Sequence, residues 1–453
     1  MVILILLAVL VSAGITLLTG STSIAMSLVF FMSIGTWISF WFSKGNIRDT
    51  QNLLKIFYAV FSIYVMFSAI GYLNFKVIND YFLFPDQAHF YEVGDILSKN
   101  SSISQIFQEC FVLRIHEEQE ASYFIFGVIG FIANKYFDGN SILLQSLHIS
   151  FLAMLLNLFL YKTLLFHTSR EEALKYTLLF AFFSPLFFYS PWILRDIHIC
   201  FLYAIGIYLI HTRFTIKRLL LFVPIIVATL EFRLEMGLFC LIMPIYYIYF
   251  RGKNHKNYKL IFGSLIFIGI GVLGLLLNFL INSLSAAISS FVGYSSYTEE
   301  NLSDGLGAMM FKLPMGIKQI AIVVFSQIRP FPAWGNLLIA KTVYEFVISF
   351  VELLGAVFWS YIFFFISFSF TSKVVRKKLS QENIVILIIA LIFILGNSSE
   401  MNIRRILCIY PLIFIIYINV RQMLPKRKRI SYSNSSIALY SVLSVIYFFI
   451  KYS

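Results

Sequence analysis

Long apolar segments dominate this chain and limit what it can fold into. Segments such as 261–280 and 343–370 are dominated by apolar residues, and a helix needs roughly 20 of these to cross a hydrocarbon core about 30 Å thick. Of the 453 residues, 59% are hydrophobic and 13% are charged, whereas soluble domains carry roughly 25% charged residues. The sequence therefore predicts an all-α, polytopic membrane helical bundle.

Lysine and arginine residues orient the predicted bundle. They collect in short connectors between apolar segments, and short cytoplasmic loops of membrane proteins carry an excess of such residues. We therefore place these connectors in the cytoplasm. The net charge of +13 then reflects the orientation of the chain in the membrane and does not indicate a nucleic-acid-binding surface. The basic connectors lie near 44–55, 162–175, 213–218, 251–259, 373–378 and 421–429.

With this orientation the chain is predicted to cross the membrane about 13 times, starting from a cytoplasmic N-terminus. The predicted spans are 2–18, 24–43, 55–74, 141–161, 176–190, 196–211, 218–232, 235–250, 259–283, 342–369, 383–396, 404–420 and 435–451.

Two long connectors fall on the outer, periplasmic or extracellular, side. We expect two N-terminal membrane helices in 1–54, a core in 55–340 with outer loops 75–140 and 284–341, and C-terminal membrane helices in 342–453. The first loop is acidic, and its apolar stretch 123–137 is too short to span, so it predicts a re-entrant or interfacial helix.

No motif for nucleotide or metal chemistry is found in the sequence. It contains no Walker loop, dinucleotide-binding fingerprint, zinc-ligand spacing or nucleophile elbow. Its four cysteines form no disulfide or metal pattern. Any energy requirement should therefore be met by an activated lipid-linked donor or an ion gradient.

Charged residues interrupt apolar segments at several outer helix ends. Arg195 and Asp196 follow a proline turn, and Arg233 lies between Glu231 and Glu235. Ionisable residues at such positions are costly and indicate function, and arginine matches phosphate oxygens with a planar fork. Alternatively, Arg195 and Asp196 neutralise each other, and the second turn is a solvated hairpin tip. The predicted phosphate-binding set is Arg195, Arg233, Arg329, Arg404 and Arg405, supported by Asp196, Glu231 and Glu235.

The first outer loop supplies a candidate general base. Asp86 follows Pro85 soon after a predicted span, so it should lie just above the membrane. A carboxylate there can accept the proton of an attacking sugar hydroxyl, with Asp80 and Tyr91 as supporting residues. The alternative is an ordinary surface acid.

The stretch from Asp86 to Leu97 resembles a motif of the GT-C class of membrane glycosyltransferases, Asp-Glu-Ala-x-Tyr-x-x-x-Ala-x-x-Leu. Gln87 stands where the motif has its second acid, and Tyr91 is displaced by one position. The resemblance covers roughly residues 55–340 and implies a GT-C-like fold, a polyprenyl-linked sugar donor and Asp86 as catalytic base. Size, composition, large outer loops and outer arginines are also similar to those of bacterial O-antigen and capsule polymerases.

The resulting expectation is a glycosyltransferase in the bacterial cytoplasmic membrane with its site facing outward. It would use an undecaprenyl-diphosphate-linked glycan, in contact with the lipid bilayer and a chain-length regulator. No cofactor is obligatory, because arginine can replace a divalent metal. The chain is most similar to a polymerase, and the sequence does not separate a polymerase from a single-sugar transferase.

A lipid-linked oligosaccharide flippase or another polytopic transporter is the alternative function. Transporters usually show repeat symmetry between halves and short loops. This sequence has two long outer loops and no evident repeat, which favours the enzyme.

Overall fold

Helices account for all regular secondary structure in the described part of the chain. The computed structural model describes residues 1–78, 84–114, 119–253, 316–397 and 403–452, with a few isolated positions between 255 and 314. No strand occurs in these segments. The prediction of an all-α chain is therefore confirmed.

The helices differ widely in length, from single turns to continuous rods. Up to residue 251 they are α1 (Val2–Thr19), α2 (Thr22–Ser43), α3 (Ile47–Ile78), α4 (Pro85–Leu97), α5 (Ile103–Phe107), α6 (Glu120–Tyr136), α7 (Ile142–Leu164), α8 (Arg170–Phe183), α9 (Pro185–Tyr189), α10 (Arg195–His211), α11 (Ile216–Leu220), α12 (Phe222–Phe232), α13 (Leu234–Cys240) and α14 (Ile242–Arg251), with a π-helical segment at Gln108–Val112.

The later described helices are α15 (Ile317–Ile328), α16 (Gly335–Ile339), α17 (Val343–Ser369), α18 (Lys373–Lys378), α19 (Gln381–Asn397), α20 (Tyr410–Met423) and α21 (Lys426–Tyr452), with a 3-10 segment at Ile403–Ile409.

Seven helical segments among the described residues are long and apolar enough to cross a membrane, judged by length and composition. This indicates a membrane protein. The figure of about 13 crossings, their direction and a GT-C-like fold stay predictions. The seven segments are Val2–Thr19, Thr22–Ser43, Ile47–Asn74, Ile142–Leu164, Leu234–Arg251, Val343–Ser369 and Ile403–Met423.

Two predicted spans are interrupted in the structure. The segment 218–232 breaks at Leu221 and the segment 235–250 breaks at Leu241. Each break lies three residues before a proline, Pro224 or Pro244. Proline lacks the N–H for the helical hydrogen bond, and its ring clashes with the carbonyl four residues earlier, which ends the preceding helix there. The predicted span 259–283 lies mostly outside the described residues.

The chain divides into two compact units, both discontinuous in sequence. The first consists of Met1–Tyr208, Phe222–Leu241 and Trp334–Phe358, and the second consists of Leu209–Leu221, Ile242–Ala333 and Trp359–Ser453. The two N-terminal helices thus belong to the same unit as α3 to α9.

Helix α7 forms the centre of the first unit. Nearly all of its side chains are buried, and α3 and α2 pack against it, with α1 packing on α3. Two hydroxyl groups join the central pair, because Ser68 Oγ lies 2.7 Å from Ser150 Oγ. The centre of the first unit is therefore a buried contact between α3 and α7.

The predicted first outer loop, 75–140, is largely helical. It contains α4, α5 and α6. The helix predicted over 123–137 is present as α6, Glu120–Tyr136, although its depth in a membrane stays a prediction. The segment 79–83, which includes Asp80, lies outside the described residues.

Candidate functional site

The first turn of α4 carries Asp86. Pro85 occupies the first helical position, where its missing N–H costs no hydrogen bond. The Gln87 side-chain oxygen accepts the Phe84 N–H at 3.0 Å and closes the start of the helix. Asp86 is exposed, and the helix dipole favours its negative charge. The predicted base therefore lies on a capped helix and not in an irregular loop.

Helices α4 and α6 pack closely through glycines. A Cβ atom at Gly94 would lie 2.8 Å from Phe126 Cβ, and one at Gly130 would lie 2.7 Å from Ser98 Cβ. Residue 94 is thus paired with residue 126, and residue 98 is paired with residue 130, so the residue numbers rise in the same direction on both segments. The two helices therefore run parallel, with their N-termini at the same end.

A buried tyrosine at this end lies near the predicted base and a predicted phosphate-binding arginine. Tyr123 is 1% exposed, and its ring lies 5.7 Å from that of Phe90. Burial raises the pKa of Tyr123, the positive charge of Arg195 lowers it, and the negative charges of Glu120 and Asp86 raise it. The charges of Arg195, Glu120 and Asp86 therefore all act on this one phenol.

The position of Arg195 is fixed by neighbouring helices. The preceding turn is buried, and Ser146 Oγ of α7 donates a hydrogen bond of 2.6 Å to the Pro191 carbonyl. Arg195 opens α10, and its Nη1 donates to the Phe232 carbonyl at 3.1 Å, at the end of α12. The half-buried guanidinium is therefore held beside the turn that joins α12 and α13.

Arg233, in that turn, is bound by two carboxylates. Its side chain is 7% exposed, with Nη1 at 3.4 Å from Asp196 Oδ1 and Nε at 3.6 Å from Glu235 Oε1. A diphosphate would have to compete with both. Phosphate binding by Arg233 stays a prediction, and Arg195 is the stronger candidate. The buried pair also makes a plain solvated hairpin tip an inadequate description of this turn.

Glu231, the remaining acid of the turn, faces the end of the π-helical segment. Arg114 Nη2 lies 3.2 Å from Glu231 Oε1, with the arginine side chain 60% exposed. This ion pair connects the first predicted outer loop to the α12–α13 turn. A role for Glu231 in substrate binding is not tested by this contact.

Two histidines lie beside the same turn, His198 buried and His148 half-buried. His148 of α7 and His198 of α10 place their Nε2 atoms 3.1 Å apart. The His198 ring stacks on Phe232 with centroids 5.0 Å apart and meets the edge of Phe126 at 5.5 Å. In such a pair the N–H of one imidazole donates a hydrogen bond to the unprotonated nitrogen of the other, so the contact joins α7 and α10.

Tyr91 is half-buried on α4. Burial raises the pKa of Tyr91 to about 12, with further contributions from the negative charge of Asp95 and from Tyr72. Its phenol therefore stays protonated near neutral pH. Its predicted supporting role at Asp86 is not tested by these contacts.

The other predicted arginines belong to the second unit. Arg329 is exposed after α15, and Arg404 and Arg405 are half-buried in the 3-10 segment. The predicted convergence of all five arginines therefore stays a prediction. Asp80 lies outside the described residues.

A metal site would need several convergent ligands. Across the described ranges, no three His, Cys, Asp or Glu side chains lie close enough together to hold a metal ion. The prediction that no metal is obligatory stays a prediction.

Several residues of this site were not singled out by the sequence. His148 and His198 interrupt apolar segments, a signal that marks functional candidates in membrane helices. Glu120 and Tyr123 carry no such signal, because their importance depends on how α4 and α6 pack. We call the group Asp86, Gln87, Glu120, Tyr123 and Arg195 the α4–α6 site.

A scan against protein families, a search of curated proteins and a search of solved structures each find no match for this chain.

Proposed function

We propose that this protein is a membrane glycosyltransferase, of the polysaccharide polymerase kind, that forms glycosidic bonds from an undecaprenyl-diphosphate-linked donor. The proposal rests on an exposed carboxylate, Asp86, and a half-buried guanidinium, Arg195, both of which act electrostatically on the buried phenol of Tyr123. A general base and a phosphate-binding cation are the two groups that this reaction requires. In this proposal the site faces the exterior of the bacterial cytoplasmic membrane.

Asp86 is the base in the proposed reaction. Its exposed carboxylate takes the proton of the acceptor hydroxyl as the hydroxyl oxygen forms a bond to the anomeric carbon. The bond from that carbon to the diphosphate oxygen breaks, and its electron pair leaves with the diphosphate. Arg195 stabilises the negative charge that develops there, a role in which its position at the start of α10 adds the favourable end of the helix dipole.

The bilayer supplies the donor in this scheme. The polyprenyl chain stays in the lipid while its diphosphate reaches the outer helix ends. Arg233, Arg329, Arg404 and Arg405 complete the proposed phosphate-binding set, and a chain-length regulator is the proposed protein partner. The acceptor decides between a polymerase and a single-sugar transferase.

The test uses the purified full-length protein in lipid nanodiscs with a synthetic undecaprenyl-diphosphate-linked oligosaccharide. We expect the wild type to form longer glycans, resolved on gels. Asp86→Asn should lower the rate roughly 10²- to 10⁴-fold, the usual contribution of a positioned base. Arg195→Ala should lower it by about 10²- to 10³-fold, as for loss of one transition-state donor.

The matched control is Glu92→Gln, which neutralises another exposed acid of α4 and should leave the rate unchanged. Wild-type rates in both Asp86→Asn and Arg195→Ala would refute the proposed roles. Movement of the intact donor across a proteoliposome membrane, with no new glycosidic bond, would favour the flippase instead.

A further inference from the structure

Two buried polar atoms beside Asp86 have no hydrogen-bond partner among the described residues. They are Nε2 of Gln87 and Oε1 of Glu120, on side chains that are 0% and 2% exposed. Buried polar groups in native proteins are nearly always hydrogen-bonded, so each exception needs an explanation. One is a donor and the other is an acceptor.

The packing of α4 on α6 places the two side chains at matching positions. Phe90 lies against Tyr123, with ring centroids 5.7 Å apart. Because the helices run parallel, a step of three residues toward the N-terminus on each leads to Gln87 and to Glu120. The donor and the acceptor therefore lie at the same level of the α4–α6 contact, next to Asp86.

Structural roles explain these side chains only in part. The Gln87 oxygen caps α4 by accepting the Phe84 N–H, but the cap makes no use of Nε2. Glu120 is the first residue of α6, where the helix dipole favours an acid. An acid at that position needs no burial, and an exposed one avoids the cost of desolvation.

We propose that Gln87 and Glu120 bind hydroxyl groups of the acceptor sugar. A sugar hydroxyl both donates and accepts hydrogen bonds, so adjacent hydroxyls can accept from Gln87 Nε2 and donate to Glu120 Oε1. The ring of His89, which is exposed and whose centroid lies 5.7 Å from that of the buried Tyr123, supplies aromatic surface beside them. The negative charges of Asp86 and Glu120 disfavour the diphosphate here and leave it to Arg195.

This inference rests on the proposed glycosyltransferase function, because the acceptor is a substrate of that reaction. The inference adds two residues, Gln87 and Glu120, that select the acceptor. A site that hydrogen-bonds a substrate hydroxyl discriminates strongly against an analogue without it, since the buried groups are then left unpaired.

The binding test uses full-length protein in nanodiscs and saturation-transfer NMR. The probes are the methyl glycosides of glucose, galactose, mannose and N-acetylglucosamine. We expect wild-type protein to bind at least one of them. Glu120→Ala should weaken that binding roughly 10- to 100-fold, the range for a hydrogen bond to a charged group, and Glu120→Gln should weaken it less. The control, Glu92→Ala, should bind as wild type does.

Monodeoxy versions of the bound glycoside locate the contact. Removal of the hydroxyl held by Glu120 should weaken binding to wild-type protein and cause no further loss in Glu120→Ala, which is the coupling expected of a direct contact. Thermal unfolding provides the folding control. Glu120→Ala should melt at or above the wild-type temperature, because it removes a buried polar atom without a partner.

Four results would overturn the inference: no binding of any glycoside by wild-type protein, equal binding by wild type and Glu120→Ala, a lower melting temperature in both Glu120 variants, or glycosyl transfer that is indifferent to Glu120. The proposed function fails separately. Glycosyl transfer that is indifferent to Glu120 overturns only the inference, whereas Glu120-dependent glycoside binding without glycosyl transfer overturns only the function.

Discussion

Asp138 shows how a single exposed acid can connect two helices that are far apart in the sequence. It follows α6, and its Oδ2 and Oδ1 accept the N–H groups of Thr22 and Ser23 at 3.0 and 2.7 Å, at the start of α2. Desolvation alone would raise the pKa of Asp138. Hydrogen bonds from the Ser23 amide and from the Ser21 and Ser23 hydroxyls outweigh it and hold that pKa below its usual range.

Asp138→Asn should therefore destabilise the protein at neutral pH. The amide keeps one acceptor and places a donor against a backbone N–H, so we expect a loss of about 1 kcal/mol, as for other helix caps. Since the folded-state pKa is lowered, the stabilisation is complete above the unfolded pKa of about 3.9 and is lost as the pH falls through the folded-state value.

Thermal unfolding in detergent at pH 7 and pH 3.5 measures this effect. The difference in melting temperature between wild type and Asp138→Asn should shrink at the lower pH. Glu92→Gln, which changes an exposed acid of α4, should melt as wild type does at both values. An equal difference at both pH values would show that the charge of Asp138 is not what holds α2.

Arg195 and Arg233 show what the sequence could and could not predict about single residues. Both interrupt apolar segments at a turn, so the sequence treats them as equivalent phosphate ligands. The structure separates them, because Asp196 and Glu235 bind Arg233 whereas Arg195 donates to the Phe232 carbonyl and its charge acts on Tyr123. No local pattern reveals a pair such as Arg233 and Asp196, which are 37 residues apart.

At the scale of elements, the α4–α6 contact determines the geometry of the site. A Cβ at Gly94 would lie 2.8 Å from Phe126 Cβ, a distance at which backbone must move. Asp86 and Gln87 lie on one of these helices and Glu120 and Tyr123 on the other. Any separation of the helices therefore moves the proposed base relative to the proposed acceptor contact.

Gly94→Ala should lower both stability and activity. We expect the free energy of unfolding to fall by about 1 to 3 kcal/mol, the usual cost of overpacking a close contact. The rate of glycosyl transfer should fall by a larger fraction than the amount of folded protein. Melting temperature and transfer rate on the same preparation provide the comparison.

Gly14→Ala is the matched control, since a Cβ at Gly14 in α1 meets no atom within 4 Å. It should be neutral or slightly stabilising, because alanine favours helix over glycine by up to about 1 kcal/mol. Unchanged stability in Gly94→Ala would mean that α4 and α6 are not in close contact.

Apolar stretches in the sequence predicted where most helices lie. They did not predict where a helix is interrupted. The apolar segments in the described part of the chain are helical, and the short stretch in the predicted first outer loop is α6. The breaks at Leu221 and Leu241 were missed, although Pro224 and Pro244 give a physical signal for them. The parallel register of α4 and α6 could not be predicted, because it depends on glycine contacts between separate segments.

For the whole molecule, the direction of the chain across the membrane is the main untested prediction. The basic connectors place the N-terminus and segment 373–378 inside and the α4–α6 site outside. Seven segments in the described part meet the length and composition of a membrane span. Helix length alone does not show which end faces the cytoplasm.

Cysteine labelling on spheroplasts tests this orientation. Lys99→Cys and Lys377→Cys introduce thiols at exposed positions, and the four native cysteines are buried. A membrane-impermeant maleimide should label residue 99 on intact spheroplasts and residue 377 only after lysis. Wild-type protein is the control and should label weakly in both conditions. The reverse pattern would place the α4–α6 site in the cytoplasm and refute an outward-facing reaction.

The Asp138 contact also sets an order for biosynthesis. Helix α2 leaves the ribosome long before the residue that caps it, because Asp138 and Ser23 are 115 positions apart. At about 5 to 20 residues per second, the start of α2 waits roughly 6 to 23 s for this partner. The first two helices must therefore insert without the cap, and the α4–α6 segment is secured to them only after its own translation is complete.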